Sequence, residues 1–219
     1  MLDKIEKEII SLKNPEKAKA LQRFFKTQKG EYGKGDIFLG IKVPEQRKIA
    51  KKYSYLSLQK IQKLLKNKIH EFRLISLLIL VDKYKRANLN EKEDIFNFYL
   101  KNTRYINNWD LVDLSAPRII GDFLYKRNRK ILYALANSSD LWEKRISILS
   151  TLYFIQYNDF QDSLAISEIL LKDKYDLIHK AVGWMLREVG KKRGRIKRIY
   201  FRGNYCILVQ NTFKTFGYY

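Results

Sequence analysis

The 219-residue sequence contains one cysteine, Cys206, so no disulfide can close within the chain and no cysteine-based zinc site can be built. Two histidines, His70 and His179, leave little for any other metal site, and neither a metal nor a cofactor is expected. Three prolines and ten glycines exclude collagen-like and low-complexity classes, and 46% apolar residues exclude a disordered chain. Long hydrophobic runs are missing too. The longest, Leu74 to Val81, falls far short of the ~20 residues that cross a bilayer, so no membrane partner is expected. The segment Met1 to Ile10 is charged throughout and holds no signal-peptide apolar core, which predicts a soluble, cytoplasmic protein.

Negative charge is scarce as well. Lys and Arg number 44 against 23 Asp and Glu, a net charge of +21. Such an excess suits a polyanion, because neutralising phosphates releases counterions; a solvated lysine-rich surface is the bland alternative. Residues 191–219 hold eight basic residues and no acidic one, yet 36 basic residues against 23 acidic ones remain in residues 1–190. The body is therefore basic without its tail.

Strand patterns do not occur before residue 190. Leu2, Ile5, Ile9 and Ile10 share one helical face, and periodicity predicts further helices from Pro15 to about Phe25, from Pro44, and near 57–66, 69–84, 91–101, 107–125, 128–136, 141–156, 160–171 and 176–189. The glycines between Gly30 and Gly40 do not have phosphate-loop spacing. Four helices open with a charged residue before or within an apolar stretch: Arg73, Asp110, Arg145 and Lys180, separated by 37, 35 and 35 residues. A period near this value marks stacked helical pairs, although an ordinary helical bundle could show it by coincidence. The expected fold is an all-α, HEAT-like helical-repeat solenoid with a basic concave face. Arg73, Arg145 and Lys180 on that face would suit a phosphate backbone.

The chemistry concentrates in Asn107-Asn-Trp-Asp-Leu-Val-Asp-Leu-Ser-Ala-Pro. Trp109 and Asp113 are i and i+4, on one helix face, and Asp110 and Asp113 are i and i+3. Helix-dipole compensation explains Asp110 readily and Asp113, further in, less well. Trp142 reads as packing. Trp109 and Trp184 sit beside charged neighbours and could also face a cationic ligand or a sugar. Glu71 and Arg73 read as an inter-helix ion pair, and both histidines as caps or surface residues. The tyrosines from Tyr153 to Tyr157 read as packing. Cys206 has no His or acid beside it in sequence and is not read as a nucleophile.

Four stretches carry a resemblance: Phe38-Leu-Gly-Ile-Lys-Val-Pro-Glu-Gln-Arg-Lys-Ile-Ala-Lys, Asn107 to Pro117, Trp142-Glu-Lys-Arg-Ile-Ser-Ile-Leu-Ser, and Lys180-Ala-Val-Gly-Trp-Met-Leu-Arg-Glu-Val-Gly-Lys. Together they resemble the AlkD-type DNA alkylation repair enzymes, HEAT-like-repeat DNA glycosylases, over about residues 5–191. The resemblance implies monofunctional removal of N3- and N7-alkylated purines, such as 3-methyladenine and 7-methylguanine, from duplex DNA by a monomer. It implies Asp113 as the catalytic carboxylate, Trp109 and Trp184 as the aromatic pair on the lesion's deoxyribose, and Arg145 against the phosphate near the lesion. Arg187 matches a further phosphate contact, and Tyr32 corresponds to a tyrosine at the site. The family is also similar in lacking a deep base pocket.

Some relatives resemble non-catalytic binders of branched or damaged DNA, and that is the alternative function. A scaffold for RNA or an acidic protein is a third. After Lys192 the resemblance stops, and residues 191–219 form an atypical basic tail in which Ile196 to Phe201 could be a strand. A frameshift in the gene, or a natural basic tail, would account for it.

Overall fold

The computed structural model describes residues 2–195. Helices dominate, no strand occurs among the described residues, and the class is the expected all-α helical repeat. Two compact units are formed, one ending at Ser115 and one beginning at Ala116. The expectations for the tail beyond Arg195, the strand at Ile196 to Phe201 included, lie outside the described residues.

The first unit contains α1 (Leu2–Ser11), α2 (Pro15–Phe24), α3 (Val43–Lys52), α4 (Leu58–Leu65), α5 (His70–Arg86) and α6 (Leu89–Lys101). The next helix is α7 (Trp109–Ala116). Local chemistry sets the helix starts. Asn14 accepts the Lys17 N–H at 3.0 Å with Pro15 in the first turn, and Asn88 and Glu91 form a reciprocal capping box on α6. Helix α5 is buried on every side, with Phe72, Leu74, Ile75 and Leu77 through Leu80 all in the core, and α3 and α4 pack against it.

The second unit contains α8 (Asp122–Leu124), α9 (Lys130–Ala136), α10 (Leu141–Gln156), α11 (Gln161–Leu170) and α12 (Asp176–Arg195). Asp140 caps α10 by accepting the N–H groups of Trp142 and Glu143 at 2.7 and 3.1 Å. Helix α10 is the central element here, packed by α9, α11 and α12, and Trp142 is buried as expected. No helix among the described residues is long and apolar enough to cross a membrane.

The helices fall where periodicity placed them, with two differences. The helix expected over 107–125 begins at Trp109 and widens into a π-helical turn, Pro117–Gly121, before α8. Pro117 has no N–H for the α-helical bond to the preceding turn, and this displaces the ladder. Gly121 is needed there because a Cβ would lie 2.4 Å from the Ser150 carbonyl oxygen. Helix α12 runs to Arg195 instead of ending near 189.

The four repeat-marking residues all lie in the first five positions of a long helix or of α7: Arg73 in α5, Asp110 in α7, Arg145 in α10 and Lys180 in α12. Their environments differ. Glu71 and Arg73 do not form the expected pair with each other. Glu71 is wholly buried and its carboxylate accepts the backbone N–H groups of Leu39, Gly40 and Ile41 at 3.0, 2.8 and 3.3 Å. One side chain thereby fastens the loop that follows α2 to the start of α5. Gly40 is required in that loop: its φ is +84° and a Cβ would meet the Asn14 carbonyl oxygen at 2.2 Å.

Replacing Glu71 with Ala strands three backbone donors in the interior. We expect urea denaturation to show a loss of roughly 3 kcal/mol, the scale of charge-assisted bonds left unmade.

Candidate active site

Trp109 is the first residue of α7 and is half-buried. Phe25 covers one face of its ring, stacked at 5.2 Å between centroids and 14° between planes, and the Phe24 ring meets it edge-on at 5.8 Å. Phe25 in turn stacks on Phe38 at 4.9 Å, and Phe38 stacks on the His70 imidazole at 4.5 Å. The tryptophan is therefore the end of a four-ring stack and has little freedom to rotate. Tyr32 is half-buried, with its hydroxyl 3.5 Å from the carbonyl oxygen of Phe24, too long for a strong bond.

The backbone before Trp109 is held from below by buried charge. Arg73 Nη2 lies 2.7 Å from Asp36 Oδ1, and its Nη1 donates to Asn107 Oδ1 at 2.8 Å. Asn108 Nδ2 donates to Asp36 Oδ2 at 3.0 Å. His70 Nε2 lies 2.8 Å from Asp110 Oδ2, while Nδ1 faces Asp36 Oδ2 at 3.4 Å. The remaining oxygens of Asn108 and Asp110 accept the N–H groups of Trp109 and Leu111, two donors that a helix start otherwise leaves open.

The His70 side chain is 2% exposed, and this corrects the expectation of a cap or surface residue. Burial alone would lower its pKa, but the Asp110 charge and the bonds to Asp110 and Asp36 outweigh burial and the Arg73 charge, so it is raised above 6.5. The pKa of Asp36 moves the other way. Burial raises it, and the contacts with His70, Arg73 and Asn108 prevail and lower it.

Arg73 was expected on an open phosphate-binding face. It is 5% exposed and committed to Asp36 and Asn107, because the guanidinium neutralises a carboxylate that the Asn107–Asn108 turn needs.

Asp113 is half-buried one helical turn after Trp109, on the same face. The phenol of Tyr99 is fully buried and bonds Ser115 Oγ at 2.9 Å; burial and the Asp113 charge both push it up, so it stays neutral. Alongside the site a cavity of about 230 Å³ is lined by Phe25, Phe38, Gln46, His70 and Asp110.

In the second unit, Arg145 is 5% exposed and donates from Nη1 to the Leu177 carbonyl at 2.6 Å, tying α10 to the first turn of α12. Lys180 is exposed and pairs with Asp176 one turn earlier at 2.7 Å. Further along α12, Trp184 is half-buried and Arg187 exposed.

The structure thus gathers Trp109, Asp110 and Asp113 on α7 in the first unit, where Tyr32 reaches toward the Phe24 carbonyl. Lys180, Trp184 and Arg187 share α12 in the second unit, with Arg145 reaching its first turn. Asp36, His70, Phe25 and Phe38 were missed as site residues. Only the His70/Arg73 spacing at a helix start hinted at them. Among the described residues no three His, Cys, Asp or Glu side chains converge to hold a metal ion.

Three solved structures share this fold at low identity. One, from Enterococcus faecalis, is described as a predicted DNA alkylation repair enzyme; it is 16% identical, covers 93% of this chain and 96% of its own, and has a TM-score of 0.63. The protein smu.31 of Streptococcus mutans UA159 is 16% identical over 80% of this chain and 92% of its own, with a TM-score of 0.52. AlkD2 of Streptococcus mutans is 14% identical over 91% and 95%, with a TM-score of 0.51. No curated protein matches. The DNA alkylation repair enzyme family matches residues 5–200, past Lys192, where the resemblance was expected to stop. With nearly the whole chain matched, this protein belongs to the DNA alkylation repair enzyme family.

Proposed function

We propose that this protein is a monofunctional DNA glycosylase that hydrolyses the N-glycosidic bond of cationic N3- or N7-alkylated purines in duplex DNA, acting as a monomer. The observation that carries the reading is Asp113: a half-buried carboxylate one turn from a tryptophan whose ring is locked in a stack.

An alkylated purine already bears positive charge. When the bond between C1′ and the base nitrogen breaks, the electron pair neutralises the departing base, so no general acid is required at the leaving group. Positive charge develops on the sugar instead. A carboxylate stabilises it electrostatically, and aromatic faces add cation–π attraction. Asp113 fills the first role, and Trp109 and Trp184 the second. Asp113 also orients the water whose oxygen bonds to C1′, and the proton lost from that water passes to the carboxylate or to solvent. In this reading Lys180 and Arg187, both exposed, meet phosphates. Arg145 meets the phosphate near the lesion only by sharing a guanidinium already bonded to Leu177.

Single-turnover release of 7-methylguanine from a defined duplex tests this reading. We expect Asp113→Asn to slow release by ~10²–10³-fold, the scale for losing one electrostatic stabiliser, with duplex affinity nearly unchanged. Equal rates for variant and wild type would overturn the assignment. Release by neither, with duplex binding intact, would favour the non-catalytic DNA-binding alternative. Phosphate contacts are tested by salt titration: Arg187→Ala should flatten the dependence of log affinity on log salt by about one unit without changing the melting temperature. Arg145→Ala should weaken binding and also lower the melting temperature, because it removes the bond that ties α10 to the first turn of α12.

A further inference from the structure

The geometry points to His70 as a positioning residue for the candidate active site: through Asp110 and Asp36 it holds the first turn of α7, and with it Trp109 and Asp113, in one place. This inference rests on α7 being the catalytic helix.

Three of the four residues Asn107 to Asp110 are gripped by one buried cluster. Arg73 takes Asn107 at 2.8 Å, Asp36 takes Asn108 at 3.0 Å, and His70 takes Asp110 at 2.8 Å. The fourth, Trp109, is gripped by rings, and the stack that fixes it runs through Phe25 and Phe38 to the imidazole of His70. His70 thus reaches the tryptophan by two routes, one ionic and one aromatic. Helix α7 has eight residues, so a shift of its first turn carries Asp113 with it.

Nε2 of His70 faces Asp110, and Nδ1 faces both Asp36 Oδ2 and Arg73 Nη2 at 3.4 Å; the imidazolium has a proton for each carboxylate, whereas the neutral ring keeps only the one to Asp110 and turns Nδ1 to the Arg73 donor. Protonated, the set Asp36, His70, Arg73 and Asp110 is charge-neutral. Deprotonated, it carries one uncompensated negative charge, three of its members having side chains 6% exposed or less. The other charged groups nearby do not substitute for that proton. Glu71 on α5 is turned to the Leu39–Ile41 backbone, and Lys17 and Lys42, across the 230 Å³ cavity, are exposed. Gln46 on α3 is uncharged.

The sign of the pH dependence follows. The folded pKa of His70 is raised above its ordinary 6.5, so the clamp is fully present below pH 6.5 and is lost as pH rises through the raised value. The lowered pKa of Asp36 places its own loss at the acid end, below 3.8. Between these limits the turn is held; above the His70 midpoint it loosens while the fold, carried by the apolar core, persists.

Nuclear magnetic resonance of ring-labelled histidine gives a readout independent of catalysis. The chain has two histidines, and His179→Gln identifies the His70 signal. We expect a midpoint above 6.5, a change in Trp109 fluorescence (wild type minus Trp109→Phe) with the same midpoint, and 7-methylguanine release that falls roughly tenfold or more across it. Asp110→Asn removes one carboxylate and should move all three midpoints to lower pH together. His70→Gln should give a slow, pH-independent rate. If His70→Gln fails to fold, Asp110→Asn decides the matter alone. A wild-type His70 midpoint at or below 6.5, or Trp109 fluorescence indifferent to the His70 titration, overturns the inference. If wild type releases no base at any pH, the glycosylase reading fails by itself, and the histidine and fluorescence midpoints still decide whether the clamp exists.

Discussion

Buried charge at the start of α5 is the constraint around which the first unit is arranged. Three of the first four positions of α5, His70, Glu71 and Arg73, together with Asp36 in the loop after α2, put ionic groups where water is excluded. Burying ions costs several kcal/mol each, and their mutual attraction offsets this only when the geometry is close and the donors and acceptors are matched; in this cluster Arg73 Nε is left without a partner. Here Glu71 takes three backbone N–H groups, and Asp36 takes His70, Arg73 and Asn108. Such a cluster adds little net stability. It selects one arrangement, because any displacement of the Leu39–Ile41 loop or the Asn107–Asp110 turn leaves a charge without its partner.

The helical repeat supplies equivalent positions, and each repeat uses its own differently. Arg73 neutralises a buried aspartate, Asp110 takes a histidine, Arg145 bonds a carbonyl of α12, and Lys180 stays in solvent beside Asp176. The period describes how helices stack, which demands a residue that can reach a neighbouring turn. It does not demand that the residue reach DNA. Two of the regularly spaced cations, Arg73 and Arg145, thus serve the architecture, while exposed lysines and arginines such as Lys180 supply the field that attracts a polyanion.

The reaction proposed here asks little of a protein. A base that leaves as a neutral molecule needs no acid, so a carboxylate, ring faces and a held water suffice. What such a minimal site needs is rigidity, since misplacement of a charge by about 1 Å costs as much as losing many contacts. The ring stack and the ionic grip on the Asn107–Asp110 turn meet that need from two directions.

Much of this was legible in the amino-acid order. Apolar spacing placed the helices to within a few residues, because periodicity and caps such as Asn14, Asn88 and Asp140 act within one turn of chain. The block around Trp109 and Asp113 stood out because spacing on a single helix fixes which side chains share a face. The roles of His70, Glu71 and Arg73 did not stand out. Their partners lie 30 to 40 residues away, and charge pairing across that distance depends on which loop is folded against which helix. Sequence by itself determined the all-α repeat, the basic character and the tryptophan–aspartate pair, all set by local geometry or composition. Only the tertiary structure decided that Arg73 is interior, that Glu71 fastens a loop and that His70 sits between two carboxylates, because desolvation and long-range pairing exist only once the chain has closed on itself.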